Sequence, residues 1–265
     1  ITEYSAAQKS EAFRREDEDC LDLSFETICA YGPNAAMCHY APTKDECAKG
    51  EPKGFFLIDS GGQYWQGTTD ITRTIAVGEL AQEQKEHFTL VLQGHIRLAM
   101  AKFQYGCSGA NLDAIVRGPL WERGLDFNHG TGHGVGYLLN VHEGPQNINW
   151  RLNNKGRRGN TVPLEEGMLT SNEPGLYLEG KYGIRTENLM LCKKAEKNSY
   201  GQFMKFETVT WVPYEREAIL PEMLTKAELD WLNAYHKQVY DKIGPLLGEE
   251  ERTWLLEATA EIKEK

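Results

Sequence analysis

The chain has 265 residues, 40% of them hydrophobic, and 26 glycines, enough for an ordinary globular core in one large domain or two. Its net charge of −10 and pI near 5.3 argue against nucleic acid or an anionic membrane surface as a partner. No apolar run approaches the roughly 20 residues of a membrane span, and no signal peptide opens the chain, so it reads as soluble.

Residues 2–17 follow a helical pattern, with Thr2 or Ser5 as cap and Ala6, Ala7 and Phe13 on one side. Because the first residue is Ile1 and the helix begins at once, the chain reads as a fragment or processed form of something longer. Two short apolar runs, 23–31 and 35–41, are separated by Gly32, Pro33 and Asn34, which predicts a β-hairpin with His39 in its second strand. Cys20, Cys29, Cys38 and Cys47 fall at intervals of nine, Cys107 and Cys192 lie further on, and no CxxC pair occurs. In a chain of this size they are expected to be free thiols in a reducing, cytoplasmic compartment.

The stretch 55–74, FFLIDSGGQYWQGTTDITRT, enters on an apolar run and carries Gly61, Gly62 and Gly67 as turn residues. A turn centred near Tyr64 and Trp65 sets Asp59 and Asp70 opposite one another on the same face. Like charges so placed cost stability unless a cation or a shared proton lies between them; a solvated, Asp-bearing loop is the competing reading.

Residues 81–105 read as one long amphipathic helix, in which His87 and His95 are surface or core residues rather than ligands, and 110–123 as a second helix. Helices after paired strands, with strands returning later, imply an α+β fold: an antiparallel sheet covered by helices on one side. Then NHGTGHGVGYLLNVHEGP, 128–145, carries His129, His133 and His142, three of the seven histidines. Its interleaved glycines disfavour a helical pairing of His129 with His133 and favour extended backbone that strands or ligands can approach closely. The following segment, 150–159, holds Arg151, Lys155, Arg157 and Arg158 and reads as a solvated basic loop.

In 167–192, Glu179 to Tyr182 form a turn, and Glu173 and Glu187 stand seven residues on either side of Gly180. The geometry of the first hairpin recurs, which implies pseudo-two-fold halves. Beyond Lys193 the pattern changes: a strand-like run at 206–213, a helix from Thr225 with Glu228 at the capping-box position, and a last helix over 249–263. Residues 1–195 are accordingly expected to form the main domain and 196–265 an extension, whose aromatic-rich helix would suit an interface with another copy.

Together Asp59, Asp70, Glu173, Glu187 and His133 supply mainly hard oxygen donors and one imidazole. Four negative charges match two divalent cations, the pattern of a two-metal hydrolytic site; donor hardness fits Mn(II), with Co(II) or Zn(II) as alternatives. The motifs DSGGQYWQGTTDITRT, HGTGHGVGYLLNVHEGP, NEPGLY and GIRTEN resemble those of the pita-bread (creatinase/methionine aminopeptidase-like) metallopeptidases. Within that superfamily the chain is most similar to the Xaa-Pro aminopeptidases (aminopeptidase P), in the long branch with a C-terminal extension.

The resemblance implies that Asp59, Asp70 and Glu187 hold one metal while Asp70, His133, Glu173 and Glu187 hold the other. It also implies that His39, His129 and His142 position substrate and stabilise the tetrahedral intermediate, that Glu173 takes the proton of the attacking water, and that Tyr177 and Arg185 shape and brace the site. The implied activity is removal of the first residue from peptides with proline second, in a homodimer formed through the C-terminal region. A prolidase (Xaa-Pro dipeptidase) and a non-catalytic peptide-binding module are the alternatives. The N-terminal domains of the long branch are absent here, so the resemblance leaves a metal-binding fragment of weaker activity or selectivity.

Overall fold

The computed structural model describes residues 1–152 and 159–264; Lys155, Arg157 and Arg158 of the expected basic loop lie outside them. Helix α1 (Glu3–Arg15) starts where Thr2 Oγ1 accepts the Ser5 N–H at 3.1 Å and Ser5 Oγ accepts that of Thr2 at 2.8 Å. Ala6 and Ala7 are buried with Cys29 and Phe56. Phe13 is exposed beneath the Lys9 ammonium, because the inward place at this helix end belongs to Arg14, which donates to Ser60 O at 3.1 Å and Ser60 Oγ at 2.9 Å.

Strands β1 (Cys20–Leu23) and β2 (Ile28–Tyr31) follow, and the hairpin expected over 23–31 and 35–41 does not form. Residues 32–36 make a 3-10 turn, and His39 lies in an exposed turn rather than a strand. The cause is the buried Glu3 carboxylate. It accepts from the Tyr31 and Ala48 N–H groups, both at 2.6 Å, from Asn34 Nδ2 at 3.0 Å and from the Tyr40 hydroxyl at 2.7 Å, gathering the segment into a loop.

Strands β3 (Phe55–Ser60), β4 (Gly62–Tyr64), β5 (Gly67–Thr68) and β6 (Ile71–Ala76) form one long hairpin. Its base joins the sheet β2-β3-β6 and its tip the sheet β1-β4-β5. Tyr64 pairs with Gly67, so Trp65 and Gln66 make the turn and Asp59 faces Thr72, not Asp70. A register offset of two residues keeps the face unchanged, and Asp70 remains diagonal to Asp59 on the same side.

Helix α2 (Gln82–Ala99) is shorter than its periodicity suggests. Residues Lys102–Gln104 form strand β7, in which buried Phe103 pairs with Met204; pairing along a sheet edge overrides local helical preference. Helix α3 (Gly109–Trp121) packs on α2 at Gly94, where a Cβ would meet Val116 O at 2.2 Å. Both His87 and His95 serve packing: His87 Nδ1 lies 2.8 Å from the Tyr182 hydroxyl, and buried His95 bonds Asn172 O and the Tyr214 hydroxyl.

The remaining strands are β8 (Gly132–Val135), β9 (His142–Ile148), β10 (Leu169–Asn172), β11 (Gly175–Leu178), β12 (Tyr182–Arg185), β13 (Asn188–Asn198) and β14 (Gly201–Thr208). They build an antiparallel sheet in the order β7-β14-β13-β10-β8-β9, while β11 and β12 pair separately. Residue 195 falls within β13, and β14 beyond it pairs with β13, so the segments on either side of that position share one sheet. Strand β14 ends at Thr208, and 209–213 is irregular, unlike the expected run over 206–213.

Helix α4 (Lys226–Ile243) begins at the expected box, with Thr225 Oγ1 accepting the Glu228 N–H and Glu228 Oε2 accepting that of Thr225. Its aromatic side turns inward: buried Tyr235 is stacked by Trp231 and Trp211. Helix α5 (Glu249–Ala258) stops short of 263 because Asn233 takes both backbone groups of Ile262, drawing the chain end onto α4. All six cysteines are free thiols, and no helix among the described residues is long and apolar enough to cross a membrane.

Candidate metal centre

The β10–β13 register (Asn172 opposite Asn188) and the β11–β12 register (Gly175 opposite Arg185) continue one another across the gap that holds Glu173 and Glu187, so these two carboxylates face each other. The symmetry about Gly180 in the sequence is realised in space. On the neighbouring hairpin, Thr72 joins the two units: its Oγ1 donates to Glu187 Oε2 at 2.8 Å, and its carbonyl accepts the Glu187 N–H at 3.1 Å.

His133 enters from β8. A Cβ on Gly132 would lie 1.9 Å from Ser171 O, which is why glycine stands there and why β8 lies tight on β10. Ser171 Oγ accepts the His133 N–H at 2.9 Å and donates to Glu173 Oε1 at 3.0 Å. The imidazole Nδ1 lies 2.9 Å from Gly134 O, so Nδ1 carries the proton and Nε2 presents its lone pair, 3.3 Å from both Asp70 Oδ2 and Glu173 Oε1.

Three groups of donor atoms lie within 4.8 Å of one another: Asp59, Asp70 and Glu187; His133, Glu173 and Glu187; and Asp70, His133 and His142. Burial pushes the Asp70 carboxyl well up, helped by the charges of Asp59 and Glu173; burial also pushes Glu187 well up, with Asp70, Glu173 and Asp59 adding. Glu173 is raised for the same reason, against the opposing charges of His133 and Arg185. Without cations these groups hold protons that water would strip from them. Asp59 Oδ1, His133 Nε2 and Glu187 Oε1 are buried with no hydrogen-bond partner. Orphaned acceptors converging with this donor set fit a pair of divalent cations.

A buried chain leads away from the carboxylates. Arg185 Nη2 donates to Asp59 Oδ2 at 2.6 Å and its Nη1 to the Tyr177 hydroxyl at 2.8 Å, which lies 2.8 Å from His129 Nε2. Burial works against the Arg185 charge, but Tyr177 and Asp59 hold its pKa well above the usual value. Burial and the Arg185 charge push His129 down to about 3, so its ring is neutral. Both His129 nitrogens are engaged, Nδ1 with Gly130 O at 2.8 Å, so contact with a substrate requires exchanging one of these bonds. His142, at the exposed start of β9, has its ring 4.1 Å from that of His133. His39 stays outside the three donor groups, within electrostatic range of His129.

Thr72 and Ser171 were missed by sequence reasoning. Each lies two residues from a candidate carboxylate, on the same strand face, and that alternation is the signal that could have found them. The buried partners Arg73, Asp113 and Arg117 carry no such local signal.

Residues 1–194 match the model of metallopeptidase family M24, and residues 202–262 match that of the C-terminal region of peptidase M24. The chain is 45% identical to Aminopeptidase P2 of Arabidopsis thaliana, covering 96% of this chain and 36% of that protein. Among solved structures it resembles an X-prolyl aminopeptidase from Caenorhabditis elegans, described as a cytosolic enzyme with a di-nuclear active site. That likeness has a TM-score of 0.91 and 41% identity over 98% of this chain and 42% of that one. A prolidase from Pyrococcus horikoshii aligns with a TM-score of 0.67 and 30% identity over 83% of this chain and 56% of that one. The chain thus spans about two fifths of the length of the first two relatives.

Proposed function

The chain belongs to metallopeptidase family M24, with the pita-bread fold of its members, and from that premise we propose that it is the metal-binding and catalytic part of an Xaa-Pro aminopeptidase. The observation that carries the proposal is the convergence of Asp59, Asp70, His133, Glu173 and Glu187 with three orphaned acceptor atoms among them. Asp59, Asp70 and Glu187 would hold one divalent ion, and Asp70, His133, Glu173 and Glu187 the other. Such ions lower the pKa of water and polarise a carbonyl. The hard oxygen set favours Mn(II).

The protein's own groups supply the rest. Ser171 fixes Glu173 Oε1, the proposed acceptor of the water proton. Neutral His129, held by Tyr177 and through it by Arg185, keeps the wall beside Asp59 rigid. His142 and His39, on the exposed side, would donate to the substrate carbonyl as charge develops. The bond to be cut lacks an N–H because its nitrogen belongs to proline, so recognition depends on shape and on the free amino terminus.

A homodimer through the C-terminal region belongs to the same proposal, supported by exposed Leu246, Trp254 and Leu256 rather than by the inward aromatic side of α4. A cytoplasmic location is supported by the free thiols and by the cytosolic C. elegans neighbour. Calorimetric titration of the chelator-treated protein with Mn2+ should find two ions, and Asp70→Asn should abolish binding and turnover. Cleavage of tripeptides and longer peptides with proline second is the expected specificity. Turnover of dipeptides alone would move the assignment to a prolidase, and Mn2+ uptake without turnover to a binding module.

A further inference from the structure

Resting on the dinuclear reading above, we propose that Arg73 is a positioning residue that clamps the two carboxylate hairpins together, and that the segment 209–235 of the C-terminal region sets its place.

The Asp59/Asp70 hairpin and the Glu173/Glu187 hairpin are separate strand pairs that meet where Thr72 bonds Glu187. Arg73, buried on β6, closes the same seam from behind: its Nη1 donates to Thr72 O at 2.9 Å and to Glu187 O at 2.6 Å. The other nitrogens face the C-terminal region. Nε donates to Pro213 O at 3.0 Å, and Nη2 to Asn188 Oδ1 at 2.8 Å, Val212 O at 2.7 Å and the Tyr235 hydroxyl at 3.2 Å.

All of these acceptors are neutral, and the guanidinium lies 4.6 Å over the Tyr214 ring. A buried cation with no carboxylate among these partners is costly to keep unless its donors are matched by fixed acceptors. Here three of those acceptors belong to the segment beyond the carboxylate hairpins. Tyr235 in turn bonds Thr210 O at 3.0 Å and Val212 O at 2.9 Å, so α4 pins the very carbonyls that Arg73 reads. Displacing that segment moves the guanidinium, the guanidinium moves the Glu187 carbonyl, and the Glu187 side chain leaves its place between the two donor groups it shares.

The test compares Arg73→Lys, Tyr235→Phe and Thr225→Ala with the parent chain. Arg73→Lys keeps the charge but loses the fork, Tyr235→Phe loosens the carbonyls Arg73 reads, and Thr225→Ala weakens the α4 cap without touching Arg73. Mn2+ binding to the chelator-treated proteins is read by calorimetry, with folding followed by circular dichroism and kcat and KM measured alongside. The expected result is about a tenfold loss of affinity for at least one ion in Arg73→Lys and a several-fold loss in Tyr235→Phe. Thr225→Ala should bind as the parent does, and kcat should fall more than KM changes in the first two. If Arg73→Lys fails to fold, the comparison of Tyr235→Phe with Thr225→Ala decides. Parent-like Mn2+ affinity in folded Tyr235→Phe, or an equal loss in Thr225→Ala, overturns the coupling and leaves the dinuclear reading intact. A parent chain that takes up no Mn2+ overturns both.

Discussion

Arg185 and Asp59, 126 positions apart in the chain, meet as a buried ion pair at 2.6 Å, and the second oxygen of that carboxylate is left without a partner. One side of Asp59 is therefore neutralised by the protein and the other faces the donor groups. Replacing Arg185 with Met strands the charge, and breaking a buried pair costs about 3–5 kcal/mol. The loss should appear in full in chelator-treated protein and shrink when Mn2+ is added, as urea unfolding with and without the ion would measure. Equal losses in both states would mean that no ion reaches Asp59.

Gly132→Ala should separate β8 from β10. The new methyl would have to displace the Ser171 carbonyl, 1.9 Å away, and overpacking of this kind costs about 1–3 kcal/mol. Because Ser171 also orients His133 and Glu173, Mn2+ affinity should fall along with the unfolding midpoint. A destabilised variant with parental ion affinity would show that the β8–β10 spacing does not set the site.

Arg117 and Asp113 form a pair at 2.9 Å with both side chains buried, and Arg117 also holds the carbonyls of Phe127 and His129. Asp113 in turn accepts from Thr131, whose carbonyl receives the Glu173 N–H at 2.8 Å. Arg117→Met should cost about 3–5 kcal/mol and lower kcat. Arg117→Lys, which retains the charge, should recover part of the stability and less of the turnover, because an ammonium cannot span Asp113 and both carbonyls at once.

Acid sensitivity should begin well above the carboxylate range. Burial pushes buried His95 and His236 down to about 3, from an ordinary 6.5. As pH falls below 6.5 the unfolded chain takes up protons that the folded chain refuses. The stability these histidines contribute is thus present above pH 6.5 and lost as pH falls toward 3, at about 1.4 kcal/mol per pH unit for each. In ion-free protein the raised Asp70, Glu173 and Glu187 act in the opposite sense, lowering stability as pH rises from about 4. Subtracting the stability profile of His95→Gln from that of the parent isolates one histidine. The difference should slope by that amount between pH 6 and 4, and a flat difference would mean that His95 is protonated in the fold.

Much of the architecture was legible because turn chemistry and alternation act between neighbours. Glu173 and Glu187 were placed opposite each other by a turn read at Gly180, and the structure has them so. The first hairpin was displaced by two in register, an error that leaves every side chain on its own face and so leaves Asp59 and Asp70 together. Thr225 and Glu228 announced α4 in the same local way.

What the chain order could not convey is which distant groups complete those local pieces. Glu3 gathers the segment that a hairpin was expected to occupy, β14 draws Lys102–Gln104 out of a helical pattern, and Arg73 ties β6 to carbonyls some 140 residues away. Hydrophobic period and turn residues are encoded every few positions, so sequence alone determined the elements and brought the carboxylates onto common faces. A buried charge takes its partners wherever packing delivers unpaired acceptors, and only the tertiary structure decided those.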